Sequence, residues 1–276
     1  MRKRIIRAVI ASLIVVLLTT VMVEAALWFI DPLGIATYVY DLSTMVTIAS
    51  AEGYTLPPGV HTLRHWSYTI DEFGNRIMPR SESACIIAFV GDSVTFGQGV
   101  NDDETFAYKI ALENPGVRFI NLGKIAYNIA NVRRAVESNP ANGYLYFISD
   151  NDDGLPWERP PQEWGQPREL PPRLSAVRYY VAAFQERSSA SVTDLDAFWR
   201  DLEALRARGD VLMFAMGSPL GAQVIERYPD IAPIPHWGRA MSISWIDGHP
   251  NAAGHVYLLN ALRERVTDFV TKRCGV

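Results

Sequence analysis

The sequence contains little of what several protein classes require. Two cysteines among 276 residues are too few for a disulfide-dense scaffold or a four-cysteine zinc site. His61 and His65 have helical i,i+4 spacing, but no HExxH pattern surrounds them, which argues against a zinc centre there. No internal repeat is visible. The body also has no long apolar segment to serve as a lipase lid. A composition of 49% hydrophobic and 20% charged residues excludes a disordered chain.

Excess positive charge is also absent, since the formal net charge is −4. The first seven residues contain no acid but hold four of the 26 basic residues, which leaves 22 basic against 30 acidic residues in the remainder. An acidic body argues against nucleic acid or an anionic polymer as the main partner. The length allows one or two domains.

A long apolar run, residues 8–30, follows the basic end and contains one charge, Glu24. At about 1.5 Å per residue, a helix of this length crosses a hydrocarbon core of roughly 30 Å. The basic residues 1–7 predict a cytoplasmic N-terminus, with the remainder exported to the periplasm or the extracellular space. A cleavable signal peptide is the alternative, because Val23-Glu24-Ala25 resembles a cleavage site. The run continues to Ile30, and Trp28 suits an interfacial anchor, so we favour a single-pass transmembrane anchor.

The rest of the chain alternates between strand-like and helix-like segments. Residues 31–80 lack a strong period and are interpreted as a juxtamembrane lead-in with short extended pieces. Beyond them, short apolar runs rich in β-branched residues predict strands at 85–90, 117–121, 144–148 and 211–216. Helices are predicted at 104–113, 126–138, 174–188, 194–208 and 252–272. This alternation predicts an α/β domain over residues 81–276, with a parallel sheet covered by helices on both faces.

Polar residues follow these strands, at the sheet edge where ligands of open α/β sheets bind. Ser93 follows the first strand of the predicted sheet, and Gly91 permits the sharp turn that would expose its hydroxyl. A serine needs a base, and His249 is the strongest candidate because Asp247 stands two residues away. In an extended segment these two side chains point the same way. The alternatives are structural: Ser93 would only cap a helix, and Asp247 and His249 would only belong to a polar loop. His236 is the second candidate for the base.

Stabilisation of an oxyanion requires donors placed where the negative charge develops. The backbone N–H groups of Ser93 and Gly123 are suitable, and so is the side-chain amide of Asn151. Glycine at position 123 would allow a close backbone approach. Taken alone, Gly123 would be interpreted as part of an ordinary turn, and Asn151 as a residue that caps a loop. Their placement after successive strands favours acyl-transfer chemistry.

Taken together, these residues resemble the SGNH (GDSL-type) hydrolase superfamily, whose name gives the residue of each of four sequence blocks. The resemblance spans about residues 68–272. It implies a three-layer, flavodoxin-like sandwich, a nucleophile at Ser93, a base at His249 oriented by Asp247, and no metal or organic cofactor. The blocks stand at Gly91-Asp92-Ser93-Val94-Thr95-Phe96-Gly97, Asn121-Leu122-Gly123, Ser149-Asp150-Asn151-Asp152 and Asp247-Gly248-His249-Pro250-Asn251.

Three positions depart from the pattern of the superfamily. Ser149 replaces the usual glycine of the third block, where it could crowd the oxyanion loop, and Ala126 stands where a second glycine often follows the second block. The spacing of Asp247 and His249 is one residue shorter than the commoner form. This Asp-x-His spacing is similar to that of the alginate O-acetyltransferase-like branch, which favours O-acetyl chemistry on a glycan.

The proline-rich stretch 152–172 separates the third block from the next helix. Trp157 and Trp164 lie on it, and with Asp152 they are candidate substrate contacts; the alternative is that the tryptophans pack this loop onto the body. Cys85 begins the first strand of the predicted sheet and Cys274 ends the last helix. If that helix runs antiparallel to the strands, both cysteines reach the edge opposite the site, where an exported protein could form a disulfide.

The sequence therefore predicts an exported, membrane-anchored serine esterase that hydrolyses O-acyl, chiefly O-acetyl, esters of a carbohydrate or a related small ester. One alternative is an O-acetyltransferase acting on an envelope or extracellular polysaccharide, which would use the same catalytic residues. Another is a catalytically weak glycan-binding module of the same fold. The partners expected are the acylated carbohydrate and the membrane, without nucleic acid, and the oligomeric state is left open.

Overall fold

A computed structural model describes residues 2–31, 34, 41, 45–154, 193–245 and 247–276. The predicted helix 174–188 and the tryptophans Trp157 and Trp164 lie outside these residues. The first element, helix α1 (Arg2–Phe29), is largely exposed. Its segment Arg4–Phe29 is long and apolar enough to cross a membrane or to act as a signal sequence.

The lead-in segment contains two antiparallel hairpins. In the first, β1 (Ile48–Ser50) pairs with β2 (Gly53–Thr55), and in the second, β3 (Gly59–Thr62) pairs with β4 (Ser67–Ile70). Their apolar side chains do not form a separate core. They pack on residues after the first and second strands of the main sheet, in a shared cluster: Met45, Tyr54, Leu56, Trp66, Tyr68, Ile70, Phe96, Ile125 and Tyr127. The proposed domain boundary at residue 80 therefore falls between two parts of the chain that share buried apolar surface.

The central sheet has five parallel strands, which confirms the predicted fold class. In chain order these are β5 (Ile86–Gly91), β6 (Arg118–Asn121), β7 (Gly143–Ile148), β8 (Val211–Met216) and β9 (Ala232–Ile234). The spatial order is β6-β5-β7-β8-β9, the flavodoxin-like arrangement. The chain reverses its direction of winding between β5 and β7. The carboxyl ends of these two strands therefore form the crevice where such folds bind ligands.

Helices cover both faces of the sheet. In chain order they are α2 (Ser93–Phe96), α3 (Phe106–Glu113), α4 (Ile129–Ser138), α5 (Leu195–Ala207), α6 (Pro219–Arg227) and α7 (Ala252–Cys274). Helices α3 and α7 pack on one face, and α4, α5 and α6 pack on the other. The predictions for 104–113, 126–138, 194–208 and 252–272 correspond to α3, α4, α5 and α7. Helix α6 and strand β9 are not among the elements predicted from the sequence.

A buried arginine joins the lead-in segment to the short helix α2. The Arg76 side chain is fully buried and pairs with Asp102 through Nε at 2.8 Å. Its other nitrogens donate to the carbonyl oxygens of Phe96, Gly97 and Val100 at 2.5–2.9 Å. Burial lowers the pKa of Arg76, and Asp102 opposes that shift. The guanidinium thus binds the carbonyls that the end of a helix leaves without partners.

The two cysteines form a disulfide, a pairing that the sequence left open. Cys85 precedes β5 and Cys274 ends α7, and their Cα atoms are 5.7 Å apart. The bond lies at the start of β5, and therefore at the edge of the sheet opposite to Ser93. It closes a ring of chain with a sequence separation of 189 residues.

We expect loss of this disulfide to lower stability without altering the crevice. Closing a long loop restricts the unfolded chain, so replacing both cysteines by serine should lower the free energy of unfolding by about 2–5 kcal/mol. Chemical denaturation of the full chain in detergent measures this. Reductant should lower the unfolding midpoint of the natural chain to that of the double variant, which itself should not respond. Equal midpoints in all four conditions would contradict the prediction.

Candidate active site

Ser93 is the first residue of α2, at the carboxyl end of β5. Gly91 makes the turn with a φ of +150°, and a side chain there would meet Oγ1 of Thr95. Asp92 caps the helix by accepting a hydrogen bond from the N–H of Val94 at 2.9 Å. As the first residue of a helix, Ser93 has a backbone N–H that no turn of the helix can use. The serine thus presents both a hydroxyl and an N–H donor at the crevice.

Ser93, His249 and Asp247 form a continuous hydrogen-bonded chain. His249 Nε2 lies 2.7 Å from Ser93 Oγ. The other ring nitrogen, Nδ1, bonds to Asp247 Oδ1, which also accepts from the backbone N–H of His249 at 3.0 Å. The short Asp-x-His spacing therefore allows the carboxylate to reach the imidazole. In this arrangement the histidine can accept a proton from the serine while the aspartate fixes its tautomer.

The electrostatics of the pair favour a histidine that binds protons more strongly than usual. Burial opposes the charged imidazolium, but the charge and hydrogen bond of Asp247 outweigh it, and the pKa of His249 is raised. Burial also opposes ionisation of Asp247, but the charge and hydrogen bond of His249 outweigh it, so the pKa of Asp247 is lowered. His255, by contrast, is buried in α7, accepts a hydrogen bond from the Phe106 N–H at 3.2 Å and has a pKa lowered by burial to about 3. It is a packing residue.

Gly123 lies against α2, where no larger residue would fit. A Cβ atom at this position would come within 2.7 Å of the Phe96 backbone nitrogen and 2.8 Å of the Thr95 side chain. The N–H of Gly123 donates to Asn121 Oδ1 at 3.0 Å, while the Asn121 amide donates to the Thr95 carbonyl at 2.9 Å. Asn121 therefore links β6 to α2, the helix that begins with Ser93. Gly123 can serve as an oxyanion donor only by sharing its N–H with Asn121.

Asn151 belongs to a hydrogen-bonded network that the sequence does not predict. The Ser149 hydroxyl lies 2.7 Å from Asp92 Oδ2 and 2.5 Å from Asn151 Oδ1. The Asn151 amide nitrogen donates to the Tyr127 carbonyl at 3.4 Å. The amide oxygen therefore faces Ser149, and the amide nitrogen faces away from Ser149. Burial raises the pKa of Asp92. The Ser149 hydroxyl has a single proton, and Asp92 Oδ2 and Asn151 Oδ1 are both placed to accept it.

Ser149, the first departure from the pattern, has its hydroxyl between two hydrogen-bonding partners. Ala126, at the second departure, adopts a φ of +59°, a conformation that glycine tolerates more easily. Asp152, a candidate substrate contact, is fully buried and accepts a hydrogen bond from the Ser149 N–H at 2.7 Å. Burial and the nearby Asp92 raise the pKa of Asp152 well above its usual range. Its position supports the loop after β7.

The remaining histidines lie outside this hydrogen-bonded chain. His236 bonds to the Trp237 carbonyl, and His61 stacks on Tyr68. Within the part of the chain that the structure describes, no three His, Cys, Asp or Glu side chains group as metal ligands. The expectation that no metal or cofactor is used stays a prediction.

Fold and site together define an α/β protein with a serine–histidine–aspartate chain at the carboxyl edge of its sheet. No protein-family model and no curated protein matches the sequence. Several solved structures have a similar fold, all of them at low sequence identity.

One of these structures is a member of the lipolytic G-D-S-L family from Veillonella parvula, with 16% identity, coverage of 67% of this chain and 99% of that chain, and a TM-score of 0.43. Another is the esterase EstA from a Pseudoalteromonas species, with 11% identity, coverage of 67% and 98%, and a TM-score of 0.42. A third is a mutant acetylxylan esterase from Geobacillus stearothermophilus, with 16% identity, coverage of 68% and 96%, and a TM-score of 0.39. At this distance the similarities assign no chemistry to the present chain.

The raised pKa of His249 can be measured directly. Titration of its imidazole by NMR, with the signal assigned through its loss in His249→Ala, should give a pKa above the usual 6.5. In Asp247→Asn the opposing effect of burial remains and the attraction is lost, so the pKa should fall below 6.5. The signal of His236 serves as the internal control. An unchanged His249 pKa in the variant would show that Asp247 does not set it.

Proposed function

We propose that this chain is a serine esterase that hydrolyses O-acyl esters, chiefly O-acetyl esters of a carbohydrate, outside the cytoplasm. The observation that carries the proposal is the hydrogen-bonded chain from Ser93 through His249 to Asp247 at the crevice of the sheet. A serine beside a neutral, carboxylate-oriented imidazole is the arrangement needed for nucleophilic acyl transfer. The apolar α1 helix supports export and membrane anchoring.

The reaction begins with attack of Ser93 Oγ on the ester carbonyl carbon. His249 Nε2 takes the serine proton, and Asp247 stabilises the imidazolium that results. The carbonyl oxygen becomes an oxyanion, for which the donors are the Ser93 N–H and the Asn151 amide, with Gly123 sharing its N–H. Collapse of this intermediate breaks the bond to the sugar oxygen, which leaves with the proton from His249.

The second half of the reaction removes the acyl group from Ser93. A water molecule gives a proton to His249 and attacks the acyl-enzyme carbonyl, and the carboxylic acid is released as Ser93 regains its proton. A sugar hydroxyl could take the place of this water, which is the transferase alternative. Analysis of products in the presence of an added oligosaccharide separates free acetate from transferred acetyl groups.

The direct test is hydrolysis of p-nitrophenyl acetate by the full chain and its variants. Ser93→Ala and His249→Ala should each lower kcat by about a thousandfold or more, because nucleophile and base act as one unit. Ser218→Ala is a matched control, since Ser218 also follows a strand and caps a helix, α6, but lies outside the hydrogen-bonded chain. It should keep its activity. Undiminished activity in Ser93→Ala would overturn the proposal.

The role of Ser149 can be tested in the same assay. Removing its hydroxyl in Ser149→Ala frees the Asn151 amide to rotate, which should lower kcat by about tenfold and leave KM nearly unchanged, a smaller effect than deletion of an oxyanion donor. Ser149→Thr keeps the hydroxyl and should retain more activity. The loss in Ser149→Ala should largely disappear in an Asn151→Ala background. Additive losses would show that the two residues act independently.

A further inference from the structure

The turn that contains Ser244 and Asp247 lies next to the first residues that follow helix α1. Gly34 packs against Ser244, so closely that a Cβ atom on Gly34 would come within 2.4 Å of the Ser244 side chain. Ser244 is joined to the catalytic acid twice: its N–H donates to the Asp247 carbonyl at 3.1 Å, and its hydroxyl accepts from the Asp247 N–H at 2.9 Å. The turn that holds Asp247 therefore touches the juxtamembrane chain.

Chain length limits how far this turn can lie from the end of the helix. Five residue steps separate Phe29, the last residue of α1, from Gly34. Because an extended chain covers at most about 3.6 Å per residue, Gly34 lies within about 18 Å of that end. The helix end is also tied to the body, since Arg64 donates to the Trp28 carbonyl at 2.5 Å and its guanidinium stacks on the Trp28 ring.

The tip of the same turn carries an exposed aromatic side chain. Trp245 is 60% exposed, and the guanidinium of Arg239 lies 3.5 Å from the centre of its ring. Phe29 and Ile30, at the end of α1, are 78% and 73% exposed. An indole with a polar edge and a stacked cation suits the headgroup layer of a bilayer, where tryptophan and arginine are favoured.

We propose that the face formed by Trp245, Arg239 and the end of α1 rests on the bilayer surface, so that the enzyme acts on esters carried by membrane-bound molecules. The occupant of this face is the lipid headgroup layer of the membrane that α1 spans. Continuity with that helix, the short tether and the exposed Trp245–Arg239 pair support this arrangement. The inference rests on the proposed esterase function and adds the location of its substrate.

The first test measures contact between Trp245 and lipid. The full chain is placed in nanodiscs of phosphatidylethanolamine and phosphatidylglycerol with brominated acyl chains, which quench tryptophan at the membrane. Trp245→Phe should reduce the quenched share of the emission. Trp199→Phe is the matched control, because Trp199 lies on α5 and packs against Tyr228, and its loss should not reduce that share. An unchanged share in Trp245→Phe would overturn the membrane contact.

The second test compares two substrates in the same nanodiscs. Trp245→Gln should lower the rate on a lipid-tethered acetylated glycoside by about fivefold, since one indole contact with the interface is lost, and should leave hydrolysis of p-nitrophenyl acetate unchanged. Equal rates of the variant and the natural chain on the tethered ester would overturn the inference while Ser93→Ala still tests the esterase. A mature chain whose measured mass lacks α1 would also overturn it.

Discussion

The position of Ser93 depends on how the one-turn helix α2 is held at its two ends. Four residues cannot form a stable helix by themselves, because nucleation is costly. At the start, Asp92 caps the helix and meets the loop after β7 through Ser149. At the end, the buried guanidinium of Arg76 binds three carbonyl oxygens. The serine is therefore fixed by two distant parts of the chain, and its place does not depend on the propensity of its own segment.

This arrangement makes the lead-in segment part of the scaffold that positions Ser93. Arg76 comes from the chain that follows the second hairpin, and the hairpins share buried surface with Phe96 and Tyr127. A buried cation is tolerated only when its donors are satisfied, and here Asp102 and the carbonyls satisfy them. Residues 45–77 thus support the edge of the sheet that carries Ser93, although the sequence suggested only short extended pieces there.

Much of the fold could be predicted from the sequence because its strands are short apolar runs buried on both faces. Strands β5 to β8 could be predicted in this way. Helices α3, α4, α5 and α7 could be predicted from the regions that lie between these strands. Strand β9 has only three residues, one of them a proline, and α6 begins at a proline, so neither gave a clear period. Ser93, His249 and Asp247 could be selected because each stands at a strand end or beside a partner. Arg76 and Asn121 could not, since their roles depend on carbonyl groups brought near by folding. The sequence marks Ser149 only as a departure from the usual glycine.

The disulfide between Cys85 and Cys274 has a consequence for biogenesis. Its two ends are the first residues of the sheet domain and the last turn of its final helix, so the bond can form only after the chain has been synthesised through residue 274. It also needs an oxidising compartment. Under the proposed export, a chain that has not yet crossed the membrane would lack this covalent constraint and would be easier to unfold for translocation. The disulfide would then form only after the whole domain has reached the oxidising side.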